Sequence, residues 1–333
     1  MKRTLIIFSL LAVFYFCVAP TIARPSAPAT DFEDRSPHIT GFKSANGTRF
    51  HYLDWGGEGE VILFLSGLGN TAHIFDGIAP VFTDRYRVLA MTRRGFGQSD
   101  IPSSGYDMDT LVEDIHGFLR SFKKLNIQKV ILAGHSIAGD EMTGFAAKHP
   151  SMVSALIFLD AAYDRVELAA LPPDPFPPAP ATSDDVKSYD SLRSYYNRAL
   201  GFWSDALEAD MRERLKFTRD GRVYSVTPQF VIDQILSGMP HLDYTQMMAP
   251  MLSTYSLDPP VHPRIPPNAS ESDRKRGRDY WDLLLATKRA QIEKFRQDAR
   301  GAKVVEMEDT NHYNFIQRQR SVVRNVRAFL AER

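Results

Sequence analysis

The most informative segment of the chain is Val130-Ile-Leu-Ala-Gly-His-Ser-Ile-Ala-Gly139, because its character changes at a single serine. Before Ser136 stands a continuous apolar run, which is typical of a strand buried on both faces of a parallel sheet. After it a helical pattern begins at Ile137 and ends near His149, since Pro150 stops a helix. A serine at such a junction sits on a tight turn with its hydroxyl exposed at the sheet edge. The stretch predicts a nucleophile at Ser136; the alternative is a serine that only caps an ordinary helix.

Strand-like and helix-like segments alternate along the rest of the chain. Apolar or alternating runs predict strands at residues 48–55, 61–65, 88–91, 155–159, 251–255 and 304–307. Amphipathic patterns predict helices at residues 108–125, 273–297 and 315–330. Repeated strand–helix–strand units indicate an α/β architecture with right-handed crossovers.

The alternation breaks after Tyr163. Residues 171–181 are dominated by proline, and residues 183–248 are helical in pattern and rich in aromatic side chains. We therefore predict that a helical cap, at about residues 165–248, is inserted over the sheet. Its large apolar side chains would line a substrate pocket or pack the cap onto the core, and they include Phe202, Trp203, Met239, Met247 and Met248.

Three segments resemble the α/β-hydrolase superfamily in the same order. The first is the nucleophile turn, here Gly-x-Ser-x-Ala, with Ala138 where the family has glycine. In residues 64–69 Ser66 replaces the usual histidine, and in residues 92–100 Thr92 replaces the usual aspartate. The resemblance covers most of residues 40–333. It implies an eight-stranded, mostly parallel sheet with helices on both faces and the cap inserted after strand 6.

The resemblance also implies an oxyanion hole and a general base. The oxyanion donors would be the backbone N–H groups of Leu68 and Ile137, which the side-chain replacements leave in place. The family's histidine lies between the last strand and the last helix, which matches His312, and it would take the proton of Ser136. Weaker candidates are His135, His149, His241 and His262.

The acid that orients the histidine has two candidates. Asp160 ends the strand that follows the nucleophile helix, where some branches of the family carry the acid. Asp258 follows the strand after the cap, which is the more usual place, but two prolines crowd it and the usual Gly-x-x-Asp turn is missing. We favour Asp160, whose other possible role is to hold loop amides. Asp164 and Asp309 are weaker alternatives.

The N-terminal residues predict export. Lys2 and Arg3 precede an apolar run at residues 5–18, followed by small residues that suit cleavage after Ala23. The prediction is a signal peptide at 1–23, a linker at 24–37 and the hydrolase domain at 38–333; the alternative is an uncleaved N-terminal anchor. Because the single cysteine, Cys17, lies in the leader, a thiol nucleophile and disulfides are excluded from the mature chain. Asn46 and Asn268 match the N-glycosylation pattern.

Composition narrows the function further. Lys plus Arg and Asp plus Glu both total 40, so no basic surplus suggests a nucleic-acid partner. No metal-ligand spacing or phosphate-binding glycine loop is present, so no cofactor is expected. Soluble epoxide hydrolases and haloalkane dehalogenases of this fold use aspartate where Ser136 stands, and are disfavoured.

The sequence therefore predicts a secreted serine hydrolase that cleaves a small, moderately hydrophobic ester or lactone through an acyl-enzyme. The expected partner is a small-molecule substrate, with no nucleic acid and no stable membrane insertion after signal removal. Two alternatives remain open. The same triad could act on an amide or C–C bond, or the scaffold could be a noncatalytic binding protein.

Overall fold

The computed structural model describes residues 32–219, 221–259 and 264–333. The strands of these ranges are β1 Ile39–Ala45, β2 Thr48–Gly56, β3 Val61–Leu65, β4 Arg87–Met91, β5 Val130–His135, β6 Val153–Leu159, β7 Leu215–Phe217, β8 Val223–Ser225, β9 Met251–Ser256 and β10 Lys303–Met307. The α-helices are α1 Met108–Ser121, α2 Ala138–Lys148, α3 Arg165–Ala169, α4 Tyr189–Leu200, α5 Asp205–Arg214, α6 Gln229–Ser237, α7 Glu271–Asp298, α8 Asn314–Gln317 and α9 Gln319–Ala331. Short 3₁₀ helices span Ala72–Phe75, Ala79–Phe82 and Pro150–Met152.

Eight strands form one sheet in the order β1-β2-β4-β3-β5-β6-β9-β10. The β1–β2 and β2–β4 pairs are antiparallel, and the remaining pairs are parallel. The predicted fold class, a mostly parallel eight-stranded sheet, is confirmed. β5 and β6 lie side by side in the middle, so their carboxyl ends meet at one edge, as ligand sites in such sheets require.

Two apolar cores form because successive residues of a strand point to opposite faces. On one face Leu63 and Leu132 pack with α1, α2 and α7, and on the other Phe64 and Ala133 pack with the 3₁₀ helices and α9. The Phe64 and Phe75 ring centroids lie 4.9 Å apart in the second core. The strands read as continuous apolar runs because both of their faces are covered.

Three elements differ from the sequence prediction. β1 was not predicted, because it is an edge strand with mostly exposed side chains and no apolar alternation. The expected C-terminal helix is divided into α8 and α9, with Arg318 in a non-helical conformation between them. The cap, expected to be helical, also contains the β7–β8 hairpin.

The chain between β6 and β9 forms the cap, which has its own apolar cluster of α4, α5 and hairpin residues. The cap is fixed to the sheet domain through Asp210 of α5. This buried carboxylate accepts hydrogen bonds from the Thr71 backbone N–H, at 2.7 Å, and the Asn70 side-chain amide, at 3.0 Å. α5 is therefore joined directly to the loop that follows β3.

The predicted signal peptide and residues 24–31 of the predicted linker lie outside the described residues. The last linker residues, 32–37, pack against the domain, where Ser36 Oγ accepts a hydrogen bond from Trp55 Nε1 at 2.8 Å. No helix in the described ranges has both the length and the apolar character needed to cross a membrane.

Candidate active site

Ser136 occupies a tight turn between β5 and α2. Its φ of +56° lies in the left-handed region, which is costly for a residue with a side chain and persists where the surroundings enforce it. The lack of a side chain at Gly134 relieves crowding on one side of the turn, since a Cβ there would lie 2.9 Å from the Cβ of Ala138. A Cβ on Gly139 would lie 2.1 Å from the Ala161 carbonyl oxygen. Ala138 therefore fits this turn, and the position that tolerates no side chain is Gly139.

The loop after β3 runs directly beside this serine. A Cβ on Gly67 would lie 2.7 Å from His135 Nδ1 and 3.1 Å from the Ser136 Cβ, so only glycine allows this approach. Leu68 and Ile137 are both buried here. Neither of their backbone N–H groups donates a hydrogen bond within the described ranges. Two free amide donors thus adjoin the serine, as an oxyanion hole requires.

His312 and Asp160 form a close pair, with Nδ1 and Oδ2 2.6 Å apart. Since the carboxylate accepts, Nδ1 carries the proton and Nε2 is left to face away. The Asp160 side chain is 3% exposed and that of His312 is 28% exposed. Asp160 also has a left-handed backbone, with φ of +50°, which no sequence pattern predicted.

Further hydrogen bonds hold the Asp160 carboxylate in place. Oδ1 accepts from the Ser256 backbone N–H at 2.7 Å and from the Tyr163 hydroxyl at 3.3 Å. Burial alone would raise the pKa of Asp160, but the hydrogen bond and charge of His312 and the Lys288 ammonium bring that pKa below its ordinary value. The group is therefore an anion wherever the protein is folded near neutral pH.

Asp258, the alternative acid, has a different partner. It forms an ion pair with the Lys288 ammonium of α7, which also lies 3.4 Å from the Ser256 carbonyl oxygen. The structure thus brings His312 together with Asp160 and not with Asp258.

His135 connects the turn at Ser136 to the loop between β10 and α8, which carries His312 and is called here the histidine loop. Its Nε2 donates to the His312 carbonyl oxygen at 2.9 Å, and the two rings lie 4.4 Å apart. Burial lowers the pKa of His135 well below its ordinary value, so this imidazole stays neutral. Ser136 Oγ and His312 Nε2 are both buried, and within the described residues neither has a hydrogen-bond partner. The two atoms between which the proton would be transferred therefore make no competing hydrogen bonds in the described residues.

The weaker candidates lie elsewhere. Asp164 caps α3 and pairs with His241 Nδ1 at 2.9 Å, while His149 contacts Glu113 at 3.1 Å. Asp309 occupies a turn with φ of +52°. His262 lies outside the described residues.

Sequence reasoning missed a buried ion pair behind the loop after β3, residues 66–71. We call this segment the oxyanion loop because it contains Leu68, one of the two expected oxyanion donors. The Arg93 guanidinium pairs with Glu141 of α2, and both side chains are at most 4% exposed. Arg93 also donates to the Ser66 carbonyl oxygen at 2.8 Å and the Gly67 carbonyl oxygen at 3.5 Å. In a trans peptide the C=O and N–H point in opposite directions, so the bond to Gly67 turns the Leu68 N–H away from Arg93. The available signals were the two arginines near the start of the segment 92–100 and the two acidic residues, Asp140 and Glu141, that directly follow the nucleophile motif.

A second missed network joins the cap to both loops. Asn70, whose amide donates to Asp210 of α5, accepts through its side-chain oxygen from the Tyr313 hydroxyl at 3.2 Å. Tyr313 directly follows His312, so α5, the oxyanion loop and the histidine loop share one chain of hydrogen bonds. No sequence spacing could have revealed it, because the bonded partners are 140 and 243 positions apart.

An apolar cluster contains Leu68 and Ile137, the two residues expected to supply the oxyanion donors. Leu68 and Ile137 pack with core side chains and with α6 of the cap; the other members are Phe96, Tyr106, Leu111, Val231, Ile232, Ile235 and Leu236. Among the cap residues expected to line a pocket or pack, Met239 packs against this cluster. Met248 is 88% exposed and does neither, contrary to the prediction.

Comparison with known proteins identifies the family of the fold. The family model for the alpha/beta hydrolase fold matches residues 60–281. The chain is 31% identical over 104 residues to 2-(acetamidomethylene)succinate hydrolase of Mesorhizobium japonicum, covering 31% of this chain and 36% of that protein. It is 33% identical over 121 residues to a non-heme chloroperoxidase of Streptomyces lividans, covering 35% of this chain and 43% of that protein. The chain spans less than half the length of these curated relatives.

Solved structures show the same fold over nearly the whole chain. An E-2-(acetamidomethylene)succinate hydrolase superposes with a TM-score of 0.65 at 19% identity, covering 88% of this chain and 99% of that one. The enol-lactonase of Burkholderia xenovorans LB400 superposes with a TM-score of 0.56 at 18% identity, covering 87% of this chain and 100% of that one. From the family match and this architecture together, the chain belongs to the α/β hydrolase fold family.

Proposed function

We propose that this protein is a serine hydrolase that cleaves a small, moderately hydrophobic ester or lactone through an acyl-enzyme intermediate. The observation that carries the proposal is the strained turn at Ser136, with free amide donors beside it and the His312–Asp160 pair at the same sheet edge. A serine that only capped α2 would need neither the left-handed backbone nor an acid–histidine pair nearby.

The arrangement supports acyl transfer in two stages. His312 Nε2 takes the proton of Ser136 Oγ as the oxygen attacks the carbonyl carbon, and later gives it to the leaving alcohol. The N–H groups of Leu68 and Ile137 stabilise the oxyanion. The Asp160 carboxylate accepts a hydrogen bond from His312 Nδ1–H and stabilises the imidazolium that forms on His312. Water then attacks the acyl-enzyme with His312 as base and regenerates the free serine.

The surroundings of the oxyanion residues support an apolar substrate group. The cluster that links Leu68 and Ile137 to α6 consists of hydrocarbon and aromatic side chains. A substrate whose carbonyl lies at the two amides would bring its neighbouring carbons against these side chains. Each buried methylene would contribute about 0.8 kcal/mol to binding. We therefore place the specificity of the enzyme at the contact with α6.

Export is the second part of the proposal. The basic start, the apolar run and the small residues before Ala23 support a cleaved signal peptide, and an uncleaved anchor is the alternative. N-terminal sequencing of the secreted protein distinguishes the two, since cleavage gives a chain that starts at Arg24.

The test of the hydrolase mechanism is labelling by a fluorophosphonate probe together with turnover of a series of p-nitrophenyl esters. Wild type is expected to label and turn over esters, and Ser136→Ala to do neither, with a loss in kcat of roughly 10⁶-fold. Ser154→Ala is a matched control, because its hydroxyl is also buried and unpartnered but lies within β6. Labelling without ester turnover would keep the nucleophile and point to an amide or C–C bond. Failure of wild type to label would favour a noncatalytic binding protein.

The specificity proposal is tested with the same esters. Ile235→Ala removes side-chain volume from α6 beside the oxyanion residues and is expected to move the preferred acyl chain to greater length. Leu192→Ala makes a similar cavity inside the cap cluster, away from those residues, and should leave the preference unchanged. A shift of equal size in both variants would show that α6 does not select the acyl group.

A further inference from the structure

A group of histidine and aspartate side chains lies outside the triad, where the N-terminal segment meets the loop after β3. Asp34 and His38 come from the segment before β1, and His73 and Asp76 come from the 3₁₀ helix Ala72–Phe75 and the residue after it. One potential ligand atom from each of the four lies within 4.8 Å of all the others.

The separations between these atoms fit a small cation. His38 Nδ1 lies 3.5 Å from Asp76 Oδ1, and Asp34 Oδ2 lies 3.4 Å from His73 Nδ1. Tetrahedral Zn²⁺ with bonds of about 2.0–2.2 Å separates its ligand atoms by roughly 3.3–3.6 Å. His73 Nδ1 and Asp76 Oδ2 are closer, at 2.7 Å, because a proton joins them here.

Two of these atoms are buried without a partner. The Asp76 side chain is 5% exposed, and His38 Nδ1 and Asp76 Oδ1 face each other without a hydrogen bond in the described part of the chain. Unsatisfied buried polar atoms are costly, and a shared cation would satisfy both.

The surroundings of the group favour positive charge. Glu213 Oε2 of α5 lies 3.4 Å from His73 Nε2, on the side where a metal-bound histidine usually faces a carboxylate. On the other side of the ring, Asp76 Oδ2 and Asp34 Oδ2 lie 2.7 Å and 3.4 Å from His73 Nδ1. The three carboxylates of Asp34, Asp76 and Glu213 thus lie close to the His73 ring.

A cavity gives access to the group from solvent. It has a volume of about 390 Å³, and Asp34 and Asp76 form part of its wall, together with Asp205 at the start of α5. This is room for a hydrated cation to reach the carboxylates.

We propose that Asp34, His38, His73 and Asp76 form a binding site for Zn²⁺ or a similar borderline divalent metal. Two imidazoles among the ligands favour Zn²⁺ over Mg²⁺ and Ca²⁺, which prefer oxygen alone. The metal would join the segment before β1 to the loop that also carries the oxyanion residues. Its role is structural, since none of its ligands belongs to the triad.

The experiment is calorimetric titration of chelator-treated, dialysed protein with ZnCl₂, followed by a thermal melt. We expect one equivalent to bind and to raise the melting temperature by several degrees. Asp76→Asn, which keeps the side-chain shape, and His73→Gln should each weaken binding by about 100-fold, since even changes behind metal ligands cost 10- to 100-fold. MgCl₂ should give no saturable heat at the same concentrations.

A second cluster provides the matched control. Glu113, His116 and His149 also lie within ligand distance of one another, but all three are partly exposed. His116→Ala should leave Zn²⁺ binding and the melting shift unchanged. Absence of saturable binding in folded wild type, or loss of binding in His116→Ala but not in Asp76→Asn, overturns the proposal. Circular dichroism establishes that each variant is folded.

Discussion

Asp160 and Asp258 follow neighbouring parallel strands, β6 and β9, yet they serve different partners. Asp160 binds His312 Nδ1 at 2.6 Å, and Asp258 pairs with Lys288 of α7. Their surroundings differ too, because the Asp160 side chain is 3% exposed and that of Asp258 is 26% exposed.

The difference shows what decides which of two carboxylates in similar positions meets the histidine. A buried ammonium needs a counter-ion, and Asp258 supplies it for Lys288. Asp160 is turned toward the histidine loop by its left-handed backbone and is held there by the Ser256 N–H. The basic groups nearby, rather than the type of turn in the sequence, assign the role of each aspartate.

The largest expected effect comes from removing each carboxylate in turn. Asp160→Asn should lower kcat for an ester about 10⁴-fold, because the amide cannot hold Nδ1–H and stabilise the imidazolium. Asp258→Asn should leave kcat within about threefold. Steady-state kinetics on both variants, with melting curves to establish folding, measures this. An equal loss in both, or a larger one in Asp258→Asn, would reassign the acid.

The second prediction concerns stability at the Asp258 site. Lys288→Met should lower the free energy of unfolding by about 2 kcal/mol, less than for a fully buried pair because Asp258 is a quarter exposed. Adding Asp258→Leu should recover most of that loss, since no uncompensated charge remains. Urea titrations with an unchanged m-value test this. If the double variant is as unstable as Lys288→Met alone, the loss of stability comes from losing the ion pair and not from the unpaired Asp258 carboxylate.

A smaller effect is expected from changing His135, which donates a hydrogen bond to the His312 backbone carbonyl. His135→Phe removes the Nε2–H donor but keeps an aromatic ring there, and should lower kcat about tenfold with KM unchanged, as for the loss of one hydrogen bond. Phe315→Leu changes a ring beside His135 without altering that bond, and should leave kcat within about twofold. A rise in KM in place of the fall in kcat would contradict a positioning role.

The smallest expected effect is a pH dependence of stability. The folded pKa of Asp160 lies below its unfolded value of about 3.9, so its contribution to stability is complete above that value and is lost as the pH falls through the folded pKa. The difference in unfolding free energy between wild type and Asp160→Asn should therefore shrink below about pH 4. Urea titrations at pH 3, 4 and 5 measure it. A difference that widens toward pH 3 would mean that the pKa is raised.

The strands buried on both faces could be predicted because two covered faces leave a continuous apolar run. β1 could not, since an edge strand exposed on one side needs no such pattern. The β7–β8 hairpin was missed because its three-residue strands are too short to show a period. The division between α8 and α9 at Arg318 leaves the amphipathic pattern of the helix unbroken, so it could not be predicted.

Local pattern and chain order were enough to predict the sheet architecture, the serine at the strand–helix junction and the histidine after the last strand. Three other features depend on how the chain packs. They are the choice of aspartate that meets His312, the bonds from Arg93 to the carbonyls of the loop after β3, and the convergence of Asp34, His38, His73 and Asp76. These contacts join distant segments whose approach depends on packing and on which buried charge finds a counter-ion. No spacing along the chain encodes such an approach.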